Sequence, residues 1–205
     1  MKIAIVGGTG AFGSALARRL VEAGLEVTIG SRDPRRAVAT AAEVGATQGL
    51  ENAEAVAGAE LVVLSVEALA ALATAAELAG PLGETPVLSV ASELRVEGGA
   101  AYPSDSSLSL AERTQELLRG PVLSGLHSLA AKPLAVGKAG GDALVCGDDE
   151  GAKAAALELA ALLVTGRALD AGPLASARAL EGMTAVIVNL NRRYRGHAGL
   201  RIEGL

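Results

Sequence analysis

Short apolar runs alternate with amphipathic segments along most of the chain. The first run, 3–6, has no polar interruption, which is typical of a strand buried on both faces of a parallel sheet. A glycine turn follows it. Behind the turn, apolar residues recur at helical spacing, at Phe12, Leu16, Leu20 and Ala23. The chain therefore opens on a predicted strand, a turn and a helix.

The same alternation predicts the rest of the fold. Further strands are expected at 26–30, 60–65, 86–90, 121–124, 143–146 and 167–170. Helices are expected at 67–79, 110–118 and 149–163, and a long final helix starts near Pro173. Strands and helices in this order predict an α/β fold, a Rossmann-like doubly wound parallel sheet.

No linker or internal repeat divides the chain, so we expect a single domain over 1–205. Within it, 142–205 is predicted to be a small C-terminal α/β extension that ends in the long helix. One face of that helix is predicted to carry Ala177, Leu180, Thr184, Ile187, Val188 and Asn191. Two stretches, 91–109 and 125–141, lack a periodic pattern and are expected to be long loops, which are often functional.

The turn after the first strand reads G-x-G-x-x-G at Gly8, Gly10 and Gly13. A turn between a strand and a helix exposes unpaired N–H groups and the positive end of the helix dipole, which favour an anion. Glycine allows the backbone to approach that anion closely. The motif therefore predicts a pyrophosphate site, and a tight turn that binds nothing is the alternative.

The end of the second strand indicates which nucleotide is bound. Enzymes that use NAD usually place Asp or Glu there to hold the ribose 2′-hydroxyl, whereas this chain has Ser31 and Arg32. Arg35 and Arg36 add positive charge one helical turn later. A guanidinium pairs well with a phosphate. We therefore expect NADP to be preferred over NAD, while Asp33 also fits as the N-cap of the next helix.

Composition narrows the function further. The chain carries a formal net charge of −5 and only three aromatic residues, so neither a basic surface nor a stacking platform for nucleic acid is expected. No apolar run approaches the ~20 residues of a membrane span. We expect a cytoplasmic protein that binds neither nucleic acid nor a membrane. The single cysteine, Cys146, lies in an apolar run and is predicted to be a buried structural thiol.

Titratable groups are scarce where the predicted strands end. His127 is the only imidazole there, and no catalytic triad or metal-ligand spacing is found. A pocket without proton chemistry suits direct hydride transfer between two bound carriers. Two interpretations of His127 stay open: its nitrogens are satisfied by loop carbonyls, or it contacts a ligand.

Over nearly its whole length the chain resembles the NADPH-dependent reductases of the deazaflavin coenzyme F420. The resemblance rests on these segments: Gly7-Gly-Thr-Gly-Ala-Phe-Gly13, Gly30-Ser-Arg32, Leu126-His127, Cys146-Gly-Asp-Asp149, Leu169-Asp-Ala-Gly-Pro-Leu174 and Asn189-Leu-Asn-Arg-Arg-Tyr-Arg-Gly-His-Ala-Gly-Leu-Arg-Ile202. The last of them is similar to the actinobacterial branch. The resemblance implies an oxidoreductase that transfers a hydride between NADP(H) and F420.

The resemblance also implies roles for individual residues. Around the glycines of the turn, Thr9, Gly10, Ala11 and Phe12 would hold the pyrophosphate of NADP, and Ser31, Arg32 and Arg36 its 2′-phosphate. Val66, Ala131 and Gly199 would border the nicotinamide side, and His127 and Leu129 would lie where the two rings meet. The segment 89–93, beginning at Ser89, would face the deazaflavin. The last helix and the tail, 173–205, would form a homodimer interface.

Two segments depart from the family pattern. The family usually shows a Pro-Trp-Glu-like segment ending in histidine after the strand 60–65, but 66–72 lacks proline, aromatic residues and histidine. The segment 90–93 likewise lacks the expected proline. Two alternatives therefore stay open: an NADPH-dependent reductase of another carrier such as a flavin, and a non-catalytic NADP(H)-sensing protein.

Overall fold

One eight-stranded sheet runs through the protein, which is described here for residues 1–205 by a computed structural model. A separate two-stranded hairpin lies beside it. In chain order the strands are β1 (Lys2–Val6), β2 (Glu26–Ser31), β3 (Gln48–Glu51), β4 (Leu61–Leu64), β5 (Val87–Ser89), β6 (Leu94–Glu97), β7 (Ala100–Pro103), β8 (Val122–Gly125), β9 (Ala143–Gly147) and β10 (Ala168–Asp170).

Eight α-helices and one short 3₁₀ turn, Leu174–Ser176, connect the strands. The helices are α1 (Ala11–Glu22), α2 (Pro34–Val44), α3 (Asn52–Ala55), α4 (Ala68–Leu82), α5 (Leu110–Gln115), α6 (Ala131–Val136), α7 (Glu150–Leu163) and α8 (Ala177–Tyr194). None of them combines the length and the apolar character that crossing a membrane requires.

The strand order is β10-β9-β8-β5-β4-β1-β2-β3, and neighbouring strands are parallel except for the pair β8 and β9. Helices α1, α2 and α7 cover one face of the sheet with a cluster of 26 buried apolar residues. Helices α4, α5 and α8 cover the other face with a second cluster of 19. The predicted Rossmann-like, doubly wound sheet is therefore confirmed.

The antiparallel position of β9 was not predicted. Between β8 and β9 the only helix is α6, which has six residues and rises about 9 Å. It is too short to carry the chain back to the opposite edge of the sheet, as a parallel crossover requires. The chain therefore enters β9 from the carboxyl edge and runs antiparallel to β8.

Two predicted loops contain regular structure. The stretch 91–109 holds the hairpin of β6 and β7, in which Gly98 and Gly99 have φ angles of 58° and 80° and form the two-residue turn. The stretch 125–141 contains α6. The sequence pattern also predicts neither β3 nor α3, because the apolar residues of 48–55 recur neither every two nor every 3.6 residues.

The final helix begins at Ala177, close to the predicted start. The first half of its predicted apolar face packs onto the protein's own sheet, where Ala177 and Leu180 join the second cluster. A different stripe points outward and consists of Val186, Leu190 and Tyr194, which are 58%, 41% and 75% exposed. These three residues are four positions apart and therefore share one face of α8.

Candidate functional site

The glycine turn joins β1 to α1 so tightly that two of its glycines have no room for a side chain. A Cβ on Gly13 would lie 2.6 Å from the carbonyl oxygen of Gly7, and a Cβ on Gly8 would lie 2.9 Å from that of Ile5. Gly10 differs, because only the Gly7 oxygen would be near its Cβ, at 3.3 Å, and its other side is exposed. Gly8 and Gly13 thus serve packing, and Gly10 leaves the backbone open to a ligand.

The start of α1 is a ready anion site. The first backbone hydrogen bond of the helix runs from Ser14 N–H to the Gly10 carbonyl, at 2.9 Å, so the N–H groups of Thr9, Ala11, Phe12 and Gly13 donate to no backbone carbonyl. No acidic side chain occupies the first turn. These free donors and the helix dipole fit a pyrophosphate. The side chain of Phe12 packs against the apolar core, so only its backbone can contribute to the site.

The corner at the end of β2 carries unpaired positive charge. Ser31 Oγ accepts from Asp33 N–H at 3.2 Å, and Asp33 caps α2 by accepting from the N–H groups of Arg35 and Arg36 at 3.0 and 3.4 Å. The predicted N-cap is therefore confirmed. None of the protein's ion pairs involves Arg32 or Arg36. Both guanidinium groups are free to bind a phosphate.

One cavity of about 540 Å³ joins the glycine turn to the corner at the end of β2, and we call it the phosphate cavity. It brings together six of the residues that the sequence singles out: Thr9, Gly10, Ser31, Arg32, Arg36 and Val66. Asn52 and Thr74 also line the cavity, although both are more than nine-tenths buried. The sequence pattern does not indicate Asn52, because it predicts neither of the short elements around it.

His127 follows β8 and is held by two serine hydroxyls. Its Nδ1 lies 2.9 Å from Ser92 Oγ, and its Nε2 lies 2.8 Å from Ser124 Oγ. Ser92 Oγ also lies 2.8 Å from Oγ1 of Thr184 in α8, and that hydroxyl donates to the His127 carbonyl at 3.3 Å. The nitrogens are thus satisfied by side-chain hydroxyls and not, as one interpretation expected, by loop carbonyls.

Burial lowers the pKa of His127 to about 4, so the imidazole is neutral at physiological pH. The preceding residue, Leu126, has a φ angle of 65°, a left-handed conformation that is strained for a side chain with a Cβ. The surrounding contacts must hold this loop in place. The arrangement fixes the position of the ring and gives it no proton to donate as an imidazolium ion.

The remaining predicted site residues lie outside the phosphate cavity. Ser89 is fully buried and its Oγ has no hydrogen-bond partner, Leu129 is half-buried, and Ala131 begins α6. Gly199 lines a second cavity of about 420 Å³, together with Ser128, Ala130 and Gly140. The structure therefore does not join Ala131 and Gly199 to the cavity that contains Val66.

The C-terminal tail lines this second cavity and is held in place by Asp142. The buried carboxylate of Asp142 accepts from the N–H groups of Ile202 and Arg167 at 2.8 and 2.7 Å. These backbone hydrogen bonds lower the pKa of Asp142. The Arg167 guanidinium also donates to the carbonyls of Ile202 and Leu205. The position of Gly199 thus depends on these contacts of Asp142 and Arg167, which the sequence pattern does not predict.

Three other titratable groups near the strand ends have structural roles. Glu93 forms an ion pair with Arg113 at 2.7 Å. Burial raises the pKa of the Cys146 thiol to about 12, which agrees with a structural thiol. Asp149 caps α7 by accepting from Ala152 N–H at 2.8 Å. No group of three or more His, Cys, Asp or Glu side chains is placed to hold a metal ion.

Comparison with known proteins gives consistent matches. The family described as NADP oxidoreductase, coenzyme F420-dependent, matches residues 2–93. The F420-dependent NADP reductase of Methanothermobacter thermautotrophicus is 34% identical over an alignment of 222 residues, which covers 100% of this chain and 96% of the relative. The enzyme of the same name from Methanocaldococcus jannaschii is 32% identical, with 100% and 99% covered.

A solved structure agrees over the full length. It is that of a candidate F420-dependent NADP reductase from Arthrobacter sp. FB24, with a TM-score of 0.86, 28% identity and 100% of both chains covered. The likeness therefore extends through the C-terminal extension and the tail.

Proposed function

The chain belongs to the family of F420-dependent NADP reductases, and from this premise we propose that it transfers a hydride between NADP(H) and the deazaflavin coenzyme F420. The observation that carries the proposal is the cavity that joins the glycine turn, at the free N–H groups before and in the first turn of α1, to Ser31, Arg32 and Arg36. One end of that cavity suits a pyrophosphate, and the other suits a 2′-phosphate.

The residues in the cavity fit NADP(H). Thr9, Gly10, Ala11 and Phe12 would bind the pyrophosphate through backbone N–H groups, and Gly8 and Gly13 would shape the turn. Ser31, Arg32 and Arg36 would bind the 2′-phosphate, and Val66 would border the path toward the nicotinamide. The NADP-binding Rossmann-like domain would then span 1–205. Gly199 lines the second cavity and Ala131 directly follows Ala130, which also lines it, and we propose that the nicotinamide side lies there.

In the proposed reaction a hydride moves between C4 of the nicotinamide and C5 of the deazaflavin, and the proton that balances F420 reduction comes from water. No side chain acts as an obligatory acid or base. His127 and Leu129 would position the rings, and the segment 90–93, which follows the buried Ser89, would face the deazaflavin. Support comes from the neutral, doubly hydrogen-bonded state of His127 and from the structural roles of Glu93 and Cys146.

A spectrophotometric assay tests the proposed function. With NADPH and oxidised F420, the protein should decrease the visible absorbance of the deazaflavin at the rate at which NADPH is consumed. Activity with a free flavin but not with F420 would instead identify a reductase of another carrier. Tight NADPH binding without turnover of either compound would identify a sensing protein. Either result contradicts hydride transfer to F420.

We also propose a homodimer in which the extension 142–205 contributes the interface through Val186, Leu190 and Tyr194. Exposing an apolar stripe of a long helix to water is unfavourable in free energy, and a second copy of the chain would bury the stripe. The expectation of a cytoplasmic location stays a prediction.

Leu190→Glu should convert the dimer to a monomer, because a carboxylate placed in the centre of the stripe is costly to bury. Light scattering coupled to gel filtration gives the mass. The matched control is Val38→Glu, which changes an exposed valine on α2, remote from α8, and should leave the mass unchanged. A wild-type monomer, or a dimer that survives Leu190→Glu, would contradict this interface.

A further inference from the structure

We propose that Asn52 is a further NADP-binding residue and that its side-chain amide accepts a hydrogen bond from the 3′-hydroxyl of the adenosine ribose. The inference rests on the proposed binding of NADP(H) and adds a contact that neither the motif nor the family resemblance assigns. The side chain of Asn52 has an unusual property. Asn52 is 8% exposed, lines the phosphate cavity, and has an Oδ1 atom without any hydrogen-bond partner.

Buried polar atoms without partners are rare in this protein. Only three side-chain atoms are in that state: Arg19 Nε, Asn52 Oδ1 and Ser89 Oγ. Of the three residues, Asn52 alone lines the phosphate cavity. A buried acceptor that lacks a donor destabilises the free protein, so a ligand that supplies the donor is favoured. Asn52 Oδ1 is itself covered, so its amide must rotate toward the cavity before the oxygen can accept from a ligand. This unpartnered acceptor beside the cavity is the observation on which the proposal rests.

The position of Asn52 indicates which part of the ligand it would meet. It begins α3 directly after β3, and β3 pairs with β2 so that Glu51 lies opposite Ser31. A Cβ on Gly30 would lie 3.0 Å from Asn52 Oδ1, so the amide lies over Gly30. Gly30 in turn contacts the glycine turn, because its carbonyl accepts from Gly8 N–H at 3.1 Å. Asn52 thus stands between the pyrophosphate site and the 2′-phosphate corner.

The group of NADP(H) that connects the pyrophosphate to the 2′-phosphate is the adenosine ribose. Its 2′-oxygen is phosphorylated, so the 3′-hydroxyl is its free donor. An amide oxygen accepts such a hydrogen bond. NADH carries the same 3′-hydroxyl. The contact should therefore contribute to the binding of both dinucleotides, unlike a contact with the 2′-phosphate.

Asn52→Ala tests the proposal through two readouts with opposite signs. The dissociation constants of NADPH and NADH, measured by calorimetry, should both rise about fivefold, which is the value of one ordinary hydrogen bond. The melting temperature of the free protein should stay equal or rise, because an unpaired buried acceptor is removed. A lower melting temperature with unchanged affinity for both dinucleotides would overturn the proposal.

Asn189→Ala is the matched control. Its amide is fully paired, since Asn189 Oδ1 accepts from Ala101 N–H and its Nδ2 donates to the Ala101 carbonyl, both at 2.8 Å. This variant should melt at a lower temperature and bind NADPH normally. The contrast separates an asparagine that stabilises the fold from one that binds a ligand.

Asn52→Asp locates the contact more closely. The carboxylate keeps an acceptor for the 3′-hydroxyl but places a negative charge near the 2′-phosphate, so NADPH should be weakened more than NADH. Equal weakening of both would overturn the proposed location. Because these readouts are binding constants, a wild-type protein that binds NADPH yet does not reduce F420 refutes the proposed activity and leaves this test intact.

Discussion

Arg32→Ala should weaken NADPH binding by roughly 10- to 150-fold and leave NADH binding nearly unchanged, because a hydrogen bond to a charged group is worth about 1.5–3 kcal/mol. Only NADPH carries the 2′-phosphate that this guanidinium would bind. Arg32 lines the phosphate cavity and has no acidic partner, so the substitution breaks no ion pair in the free protein. Titration of both dinucleotides by calorimetry measures the two losses.

Arg35→Ala is the control for lost positive charge. Arg35 lies on the same helix as Arg36 but does not line the cavity, and its contact with Asp33 uses its backbone N–H, which alanine retains. The variant should bind NADPH with nearly wild-type affinity. Equal losses for NADPH and NADH in Arg32→Ala would reject the 2′-phosphate assignment, and so would equal losses in the two arginine variants.

His127→Ala should lower kcat for F420 reduction by roughly 10- to 100-fold, with no bend in the pH profile near neutrality. The ring is already neutral there, since burial lowers its pKa to about 4. Its removal would leave the Ser124 hydroxyl without a partner and the Ser92 hydroxyl with Thr184 alone, and would loosen the loop that positions the two carriers. An obligatory general acid would instead cost about 10²–10⁴-fold and give a bend at its own pKa.

Two further measurements separate positioning from acid catalysis at this residue. His127→Asn can hydrogen-bond one of the two serines and should recover part of the lost rate, which an obligatory acid would not allow. The stability of the wild type should also fall as the pH drops from the ordinary histidine pKa of 6.5 to about 4, because only the unfolded chain then binds the proton. The His127→Asn variant should lack this contribution.

The phosphate half of the site was predictable because its chemistry is local in sequence. Gly8, Gly10 and Gly13 lie within one turn, and Ser31 and Arg32 follow a strand with clear apolar character. In the same way, Asp33 before Pro34 marks a helix start that the structure confirms. Where a motif and its structural context are contiguous, hydrophobic periodicity is enough to place both.

The acceptor half was less predictable because its contacts join distant residues. Ser92 contacts His127, which is 35 positions away in the sequence, and Thr184, which is 92 positions away. No sequence pattern predicts such pairs. Asn52 escaped notice because α3 has only four residues and follows a half-exposed strand. The hydrogen bond between Asp142 and the tail likewise depends on tertiary packing alone.

Direct hydride transfer is tested most directly by the fate of deuterium carried on the nicotinamide. NADPH with both C4 hydrogens replaced by deuterium should be mixed with the protein and oxidised F420, and the products examined by mass spectrometry and NMR. One deuterium per molecule should appear at C5 of reduced F420, with none released into water. Deuterium found in the solvent, or F420 reduced without the label, would contradict the account.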